Sequence, residues 1–443
     1  MQKNEEWSSQ KSLDFEEIDA GLGTREAIAE ARRCLNCPKP LCRTGCPIEN
    51  DIPGFIQALS KGNIGDARDI LALRSNLPAV CGRVCPHEKQ CEAHCVLMKK
   101  GQGIAIGKLE RFVADFDAEM NLERRQIPLK TEGKVAVIGS GPAGLTVAGD
   151  LAKEGFHVVV YEAEGEAGGV LLYGIPQFRL PKQVVRREVE RIASLGVTFI
   201  TRCLVGVDVT VDQLFAQGFD AIFIGTGTAL AKELDLPGKE LQGIVQSSYF
   251  LRTATLCHEG ELPEREVPVT KGEQVLVIGA GNVAMDAART AVRLGAARVG
   301  VVYRRTVAEM TALQAEYEAA LAEGVEFYWQ TAPKAYVGEA GRLTGLEVEQ
   351  AGGVKILPAD KVLLAIGSRP AARIVSSTTG IEVQPSGYVI TKEKPYGMTT
   401  RQGVFAGGDV VHQPATVVLA MKEAKKVAQG IAAYVRAVKL LQP

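Results

Sequence analysis

Eight of the chain's ten cysteines fall in two runs near its beginning. The first run is Cys34-x2-Cys37-x4-Cys42-x3-Cys46, closed by Pro47. The second is Cys81-x3-Cys85-x5-Cys91-x3-Cys95, with Pro86 after Cys85. Cys203 and Cys257 stand alone. Thiolates are soft anionic donors, and short spacings on turns and helices bring three of them to one cluster while the fourth ligand comes from elsewhere. By spacing all eight qualify, enough for two [4Fe-4S] clusters. Zinc competes, but its sites favour paired C-x2-C units joined by a spacer. A disulfide framework belongs to secreted chains. The opening Met1-Gln2-Lys3-Asn4-Glu5-Glu6-Trp7 lacks the apolar stretch of a signal peptide, so a cytoplasmic location is expected.

Two glycine-rich loops carry a second chemistry. Val135-Ala136-Val137-Ile138 reads as a buried strand. It is followed by Gly139-x-Gly141-x-x-Gly144, with Pro142 and Ala143 inside the loop, a helix through Glu154, and a strand ending at Glu162. The first glycine permits the tight turn, the second lets backbone approach a pyrophosphate, and the third lets helix and strand pack closely. The helix N-terminus offers free N–H groups and a favourable dipole to the anion. Glu162 stands where an acid takes the adenosine ribose hydroxyls.

The unit recurs at Val275-Leu276-Val277-Ile278, then Gly279-x-Gly281-x-x-Ala284 with Asn282 and Val283 between, a helix to Leu294, and a strand to Tyr303. This strand ends in Arg304-Arg305 where an NAD site would place an acid. Arginine accommodates a 2′-phosphate through charged, bidentate contacts, so NADP is expected over NAD. The stretch Gly403-Val404-Phe405-Ala406-Gly407-Gly408-Asp409 resembles the second FAD motif of two-dinucleotide flavoproteins. That resemblance implies FAD at the first loop, with Gly408 and Asp409 at its ribityl chain. Thr416, where a further helix opens, would face the flavin's pyrimidine oxygens, and Gly169 is another candidate contact.

These residues need elements to hold them. A chain of 443 residues suggests about three domains. Apolar residues at 46% and charged residues at 23% exclude disordered, collagen-like and coiled-coil classes. Fifty-one basic against 52 acidic residues, with 6% aromatics, leave neither a field nor a stacking surface for nucleic acid, and no field for an anionic membrane. No apolar run approaches the roughly 18 residues of a membrane span. Thr24 reads as the N-cap of a helix leading to the first cysteines. Phe55, Ile56, Leu59, Ala67, Ile70 and Leu71 predict two short helices broken near Gly62 and Gly65, and 106–120 predicts another. The expected organisation is a helical iron–sulfur domain over 1–122, an FAD domain over 123–245 and 372–443, and an NADP domain over 246–371. In class it is α/β, with two Rossmann-like domains behind a helical one.

The order of motifs then becomes specific: cysteine runs, Ile106-Gly107-Lys108-Leu109-Glu110-Arg111-Phe112, the FAD unit, Tyr173-Gly174-Ile175-Pro176-Gln177-Phe178-Arg179-Leu180-Pro181-Lys182, the NADP unit and Gly-Gly-Asp. It resembles the glutamate synthase small-subunit family. That family is similar to the N-terminal half of dihydropyrimidine dehydrogenase and to the large subunit of electron-bifurcating NADH-dependent ferredoxin:NADP oxidoreductase. The resemblance spans about residues 24 to 435. It implies one cluster on Cys34, Cys37, Cys42 and Cys95, and another on Cys46, Cys85, Cys91 and Glu110, with Cys81 a bystander. The Tyr173–Lys182 stretch would lie near the flavin or serve only as a rigid packing loop. Thr311 departs from the family, where proline is common.

The resemblance implies an NADP(H)-dependent oxidoreductase subunit moving electrons among NADPH, FAD, two [4Fe-4S] clusters and a larger partner, either a glutamate synthase large subunit or transhydrogenase flavoprotein subunits. Ferredoxin is a further candidate partner. A disulfide reductase would need a cysteine pair beside the flavin, which Cys203 and Cys257 do not offer. The alternatives are a stand-alone diaphorase and a non-catalytic redox-sensing or scaffold subunit.

Overall fold

The computed structural model describes residues 14–122, 128–371 and 373–441. The opening Met1–Trp7 stretch and residues 123–127 of the linker at 122–133 lie outside them. The chain divides into two compact units. One comprises the described residues up to Ile18 together with Tyr173–Phe178 and Ala231–Gly367. The other comprises Asp19–Leu172, Arg179–Leu230 and the chain from Ser368 onward.

The larger unit begins with short helices: Thr24–Arg32, Leu41–Gly45, Ile52–Ser60, Ile64–Ala72, Pro78–Val84 and Ile106–Met120. The first, third, fourth and last of these share one core that includes Phe55, Ile56, Leu59, Leu71, Leu109 and Val113, with Cys34, Cys42, Cys46 and Cys95 packed at its margin. The first helix departs from expectation. Its N-cap is Gly23, and Thr24 is the first helical residue. Glu26 reaches back to accept the Gly23 N–H at 2.8 Å, so the side chain three residues in does the capping that Thr24 was expected to do.

Behind these helices lies a sheet of seven strands among the described residues. Their order is Thr391–Glu393, Tyr396–Thr399, Val404–Ala406, Ala221–Ile224, Gly133–Ile138, Phe156–Tyr161 and Thr198–Ile200. The last five run parallel, and Tyr396–Thr399 pairs antiparallel with Val404–Ala406. Val135, Ala136, Val137 and Ile138 are all buried, as a central parallel strand covered on both faces requires. The Pro142–Lys153 helix follows the first strand, and the Val417–Leu441 helix packs against it.

Polar contacts fix the cysteine-bearing helices to this sheet. Asn76 Nδ2 donates to Asp150 Oδ1 at 2.7 Å and to the Thr146 carbonyl at 3.2 Å. Lys153 Nζ donates to Asn76 Oδ1 at 2.6 Å, and Lys425 Nζ pairs with Asp150 Oδ2 at 2.7 Å. Asn76 fits because residue 149 is glycine: a Cβ there would stand 2.8 Å from the Asn76 amide carbon.

The smaller unit carries a five-stranded parallel sheet ordered Ile244–Gln246, Lys361–Leu364, Gln274–Ile278, Arg298–Val302 and Glu326–Tyr328. An antiparallel meander, Ala332–Glu339, Arg342–Gln350 and Gly353–Pro358, completes it. Within this unit Phe178 lies 3.9 Å from Arg293 and 4.9 Å from Arg289, ring centroid to guanidinium carbon. Both arginines are paired with Glu323. Two nucleotide-type α/β folds behind a helical cysteine-bearing part match the expected class.

Candidate functional site

In the first glycine loop Gly139 has φ of +94°. A Cβ at Gly144 would stand 1.9 Å from the Gly139 carbonyl oxygen, so only glycine lets the Pro142–Lys153 helix start this close to the strand. Gly141 is the N-cap and has no side chain to cap the helix. Nothing would lie within 4 Å of a Cβ there, which leaves room for a phosphate over the first-turn N–H groups. Pro142 occupies the first helical position, where its missing N–H costs nothing. Glu162 follows the second strand and is 7% exposed. It accepts from the Ser140 N–H at 2.9 Å, from the Ser140 hydroxyl and from the Glu164 N–H at 2.9 Å.

Two distant segments close on this loop. A Cβ at Gly169 would stand 2.8 Å from Gly141 Cα, and one at Gly408, whose φ is +73°, would stand 2.9 Å from Ala143 Cβ. Asp409 follows on a short 3-10 turn. Burial lifts its carboxyl from the usual range to about 6, with His412 opposing. The Asp409 carboxylate has no hydrogen-bond partner among the described residues, so it is an acceptor awaiting a donor. Thr416 Oγ1 accepts the Leu419 N–H at 3.4 Å and caps the long C-terminal helix. The set fits a dinucleotide whose pyrophosphate meets Gly141 and Ala143 and whose polyol meets Asp409.

In the second loop Gly279 has φ of +125° and approaches the Ala365 carbonyl. Ala284 is fully buried beyond it, and Val283 is exposed on the helix's first turn. Gly281 caps the Asn282–Arg293 helix without a side chain. Asn282 Oδ1 accepts the Leu313 N–H at 2.9 Å, and the N–H groups of Thr311 and Ala312 donate to the Ala280 carbonyl at 3.2 and 3.0 Å. Arg304 and Arg305 are exposed just past the strand end. Glu309, tied to Thr306, lies within electrostatic range of Arg305. Arg304 has no side-chain partner among the described residues. This pair fits a 2′-phosphate rather than a bare ribose.

The cysteines are free thiols, and they sort into two groups. Cys34, Cys37, Cys42 and Cys95 line one cavity, walled by Ile52, Ile56, Ile104 and Ile106. Burial pushes the Cys42 thiol up to about 11, with Cys34 and Cys95 adding to the rise. Cys46, Cys85 and Cys91 gather with Glu110. Burial, with Glu110 adding to it, raises Cys46 to about 11. Glu110 likewise raises Cys91 and Cys85. Glu110 itself is 8% exposed, and burial lifts it to about 8, with Glu188 contributing. Asn50 Nδ2 donates to it at 3.4 Å, and Asn50 Oδ1 is left without a partner. A carboxylate so enclosed calls for a cation, which suits it to bind iron. Cys81, 2% exposed, borders this second group.

Among the described residues no three His, Cys, Asp or Glu side chains close on a single ion. In a polynuclear cluster each thiolate meets its own iron, so the donors of a group need not converge on one point.

Comparison with known proteins follows this geometry. Residues 11–122 match the family described as dihydropyrimidine dehydrogenase domain II, 4Fe-4S cluster, and residues 133–424 match pyridine nucleotide-disulphide oxidoreductase. The chain belongs to the pyridine nucleotide-disulphide oxidoreductases. It is an oxidoreductase with FAD, NADP(H) and iron–sulfur cofactors, of the glutamate synthase small-subunit type. It is 35% identical to the glutamate synthase [NADPH] small chain of Halomonas elongata, over 96% of this chain and 94% of that one. It is 36% identical to the NAD-dependent dihydropyrimidine dehydrogenase subunit PreT of Escherichia coli, over 95% and 97%. In fold it is similar to the thioredoxin reductase of Lactococcus lactis, with a TM-score of 0.52 at 22% identity, covering 68% of this chain and 99% of that one. Mycobacterium tuberculosis FprA in complex with NADPH gives 0.55 at 20%, covering 70% and 86%. No helix among the described residues is long and apolar enough to cross a membrane.

Proposed function

We propose that the chain is the NADPH-linked electron-transfer subunit of a larger enzyme, moving electrons among NADPH, FAD, two [4Fe-4S] clusters and a partner subunit. When bound, the flavin exchanges a hydride with NADPH and single electrons with the clusters, which conduct them. The residues bind and orient. Gly139, Gly141, Pro142, Ala143 and Gly144 seat the FAD pyrophosphate, Glu162 the ribose, Asp409 the ribityl chain, and Gly169, Gly408 and Thr416 complete the cradle. Gly279, Gly281, Asn282, Val283 and Ala284 seat NADPH, and Arg304 and Arg305 take its 2′-phosphate. Cys34, Cys37, Cys42 and Cys95 hold one cluster, and Cys46, Cys85, Cys91 and Glu110 the other. No acid–base side chain is required for hydride transfer.

The observation that carries this reading is that one compact unit holds both cysteine groups and the FAD cradle, locked together through Asn76. The relatives named as subunits, including the NADP(+)-dependent formate dehydrogenase subunit beta of Moorella thermoacetica, support a partner of some kind. The test is an anaerobic titration of the purified chain with NADPH and, separately, NADH. Flavin bleaching followed by loss of iron–sulfur absorbance, with NADPH preferred, is expected. Oxidised cofactors after NADPH would refute the reading and favour a sensing or scaffold subunit. Purification from the native source then separates the other outcomes: a co-purifying large subunit supports the proposal, and its absence favours a stand-alone diaphorase.

A further inference from the structure

The second cysteine run supplies one thiol more than the two ligand sets use, and that thiol is among the most enclosed in the molecule. Cys81 is 2% exposed on the Pro78–Val84 helix. Its carbonyl accepts the Cys85 N–H at 3.2 Å, so the two side chains are one helical turn apart and share a face. The Cys81 and Cys85 thiols lie within electrostatic range of one another. On its other side Cys81 Sγ lies 3.5 Å from Met421 Sδ. Met421 is fully buried on the C-terminal helix, five residues beyond the capping Thr416.

A thiol has one proton, and here it has two acceptors within reach. The Met421 thioether is a weak acceptor. A metal-bound Cys85 sulfur is anionic, and hydrogen bonds to charged acceptors are roughly twice as strong as neutral ones. With the ligand set of Cys46, Cys85, Cys91 and Glu110 already complete, we propose that Cys81 is the hydrogen-bond donor that tunes the second cluster through the Cys85 sulfur, and not one of its ligands. The proposal rests on the reading above that these four residues hold a cluster. Reduction adds negative charge to the cluster and its sulfurs, so a donor at Cys85 is held more tightly in the reduced state and raises the midpoint potential. Met421 closes the far side of the thiol and keeps water from competing for its proton.

The experiment uses the full chain with its cofactors, purified anaerobically as wild type, Cys81→Ala and Cys81→Ser. Iron and sulfide content and an EPR-monitored redox titration are measured on each. Cys81→Ala should retain the wild-type iron and lower the midpoint of one cluster only. The expected size is on the order of tenfold in its reduction equilibrium, ~59 mV for a one-electron couple. Cys81→Ser is close in shape and supplies a stronger donor, so it should raise the same midpoint. It also serves as the informative variant if the alanine protein does not fold. Loss of about half the iron in Cys81→Ala would make Cys81 a ligand and overturn the proposal. Unchanged midpoints in both variants would overturn it equally. Wild-type protein without two clusters is a separate result, and would refute the ligand assignment beneath it.

Discussion

Substituting Gly149 tests how the cysteine-bearing helices are held to the flavin fold. In an exposed helix interior, glycine to alanine stabilises by about 1 kcal/mol. Here the new Cβ would stand 2.8 Å from Asn76 Cγ and Oδ1 and 3.0 Å from Nδ2, and Asn76 is 1% exposed. Displacing the amide breaks one neutral hydrogen bond, to the Thr146 carbonyl, and two with charged partners, Asp150 and Lys153. A neutral bond is worth about 1 kcal/mol and a charged one about 1.5–3. Lys153 keeps the Ala72 carbonyl at 2.8 Å and Asp150 keeps Lys425, so roughly half of that is recovered, leaving a loss of about 2–4 kcal/mol. Gly149→Ala should therefore destabilise by about 1–3 kcal/mol net, while the same change in an Asn76→Ala background should stabilise by about 1. Paired anaerobic thermal melts at one scan rate read this as opposite shifts in Tm, about 2 °C per kcal/mol in a unit somewhat larger than 250 residues. They belong at pH 7, where Lys153, lowered to about 8 chiefly by burial, is still charged. A shift of the same sign in both backgrounds would refute the wedge.

Three further outcomes follow from the two nucleotide loops. Arg304→Ala should lower kcat/KM for NADPH by roughly 10–100-fold and leave NADH unchanged, as loss of a charged phosphate contact requires; steady-state kinetics with both nucleotides checks this. Because burial holds Asp409 near 6, FAD affinity of the flavin-free protein should rise with pH through about 6 and then level, as the carboxylate becomes an acceptor for the ribityl hydroxyl. Fluorescence titration should show that step in the wild type and none in Asp409→Asn. In the flavin-free protein the same group works the other way: its stability contribution, present below the unfolded value near 3.8, is lost as pH rises through 6. Gly144→Ala forces a Cβ against the Gly139 carbonyl and should yield protein that purifies without flavin absorbance.

Local pattern made much of this fold legible. The helix expected over 106–120 has those bounds, and the strand read at Val135–Ile138 lies inside Gly133–Ile138. A buried parallel strand and an amphipathic helix announce themselves by burial period alone. The meander Ala332–Pro358 went unread, because its faces are mixed and its stability comes from pairing across the strands. Thr24 misled because threonine is a good cap in isolation, whereas the glutamate at 26 decides where the helix starts. At the sites, the glycines and the terminal arginines were visible because each meets a steric or charge requirement within a few residues. That Gly169 lies on Gly141, that Asn76 locks over Gly149, and that Cys81 lies against Met421 depend on residues far apart in sequence. No local spacing encodes those contacts. The same holds for Cys95, which lies with Cys34 rather than with its neighbour Cys91.

The hydrogen bond from the Lys232 N–H to the Gly367 carbonyl, 2.9 Å long, ties together the two ends of the Ala231–Gly367 segment of the smaller unit. It bears on how the protein is made. The flavin-side sheet is unfinished until Val404–Ala406 pairs with Ala221–Ile224, a closure across roughly 180 residues of chain if nothing between them has folded. The intervening segment Ala231–Gly367 is contiguous, and the other pieces of its unit precede it in the chain, so the whole unit has been synthesised when residue 367 leaves the ribosome. Once folded, the segment presents its two ends side by side. The effective loop then shrinks to roughly 45 residues, which lowers the closure cost by about 1 kcal/mol. A nucleotide-binding insert that folds first would act as a splint for the sheet whose strands flank it in sequence, although its residues are synthesised after most of that sheet. Variants that weaken the insert should therefore slow maturation of the flavin fold even where they touch none of its residues.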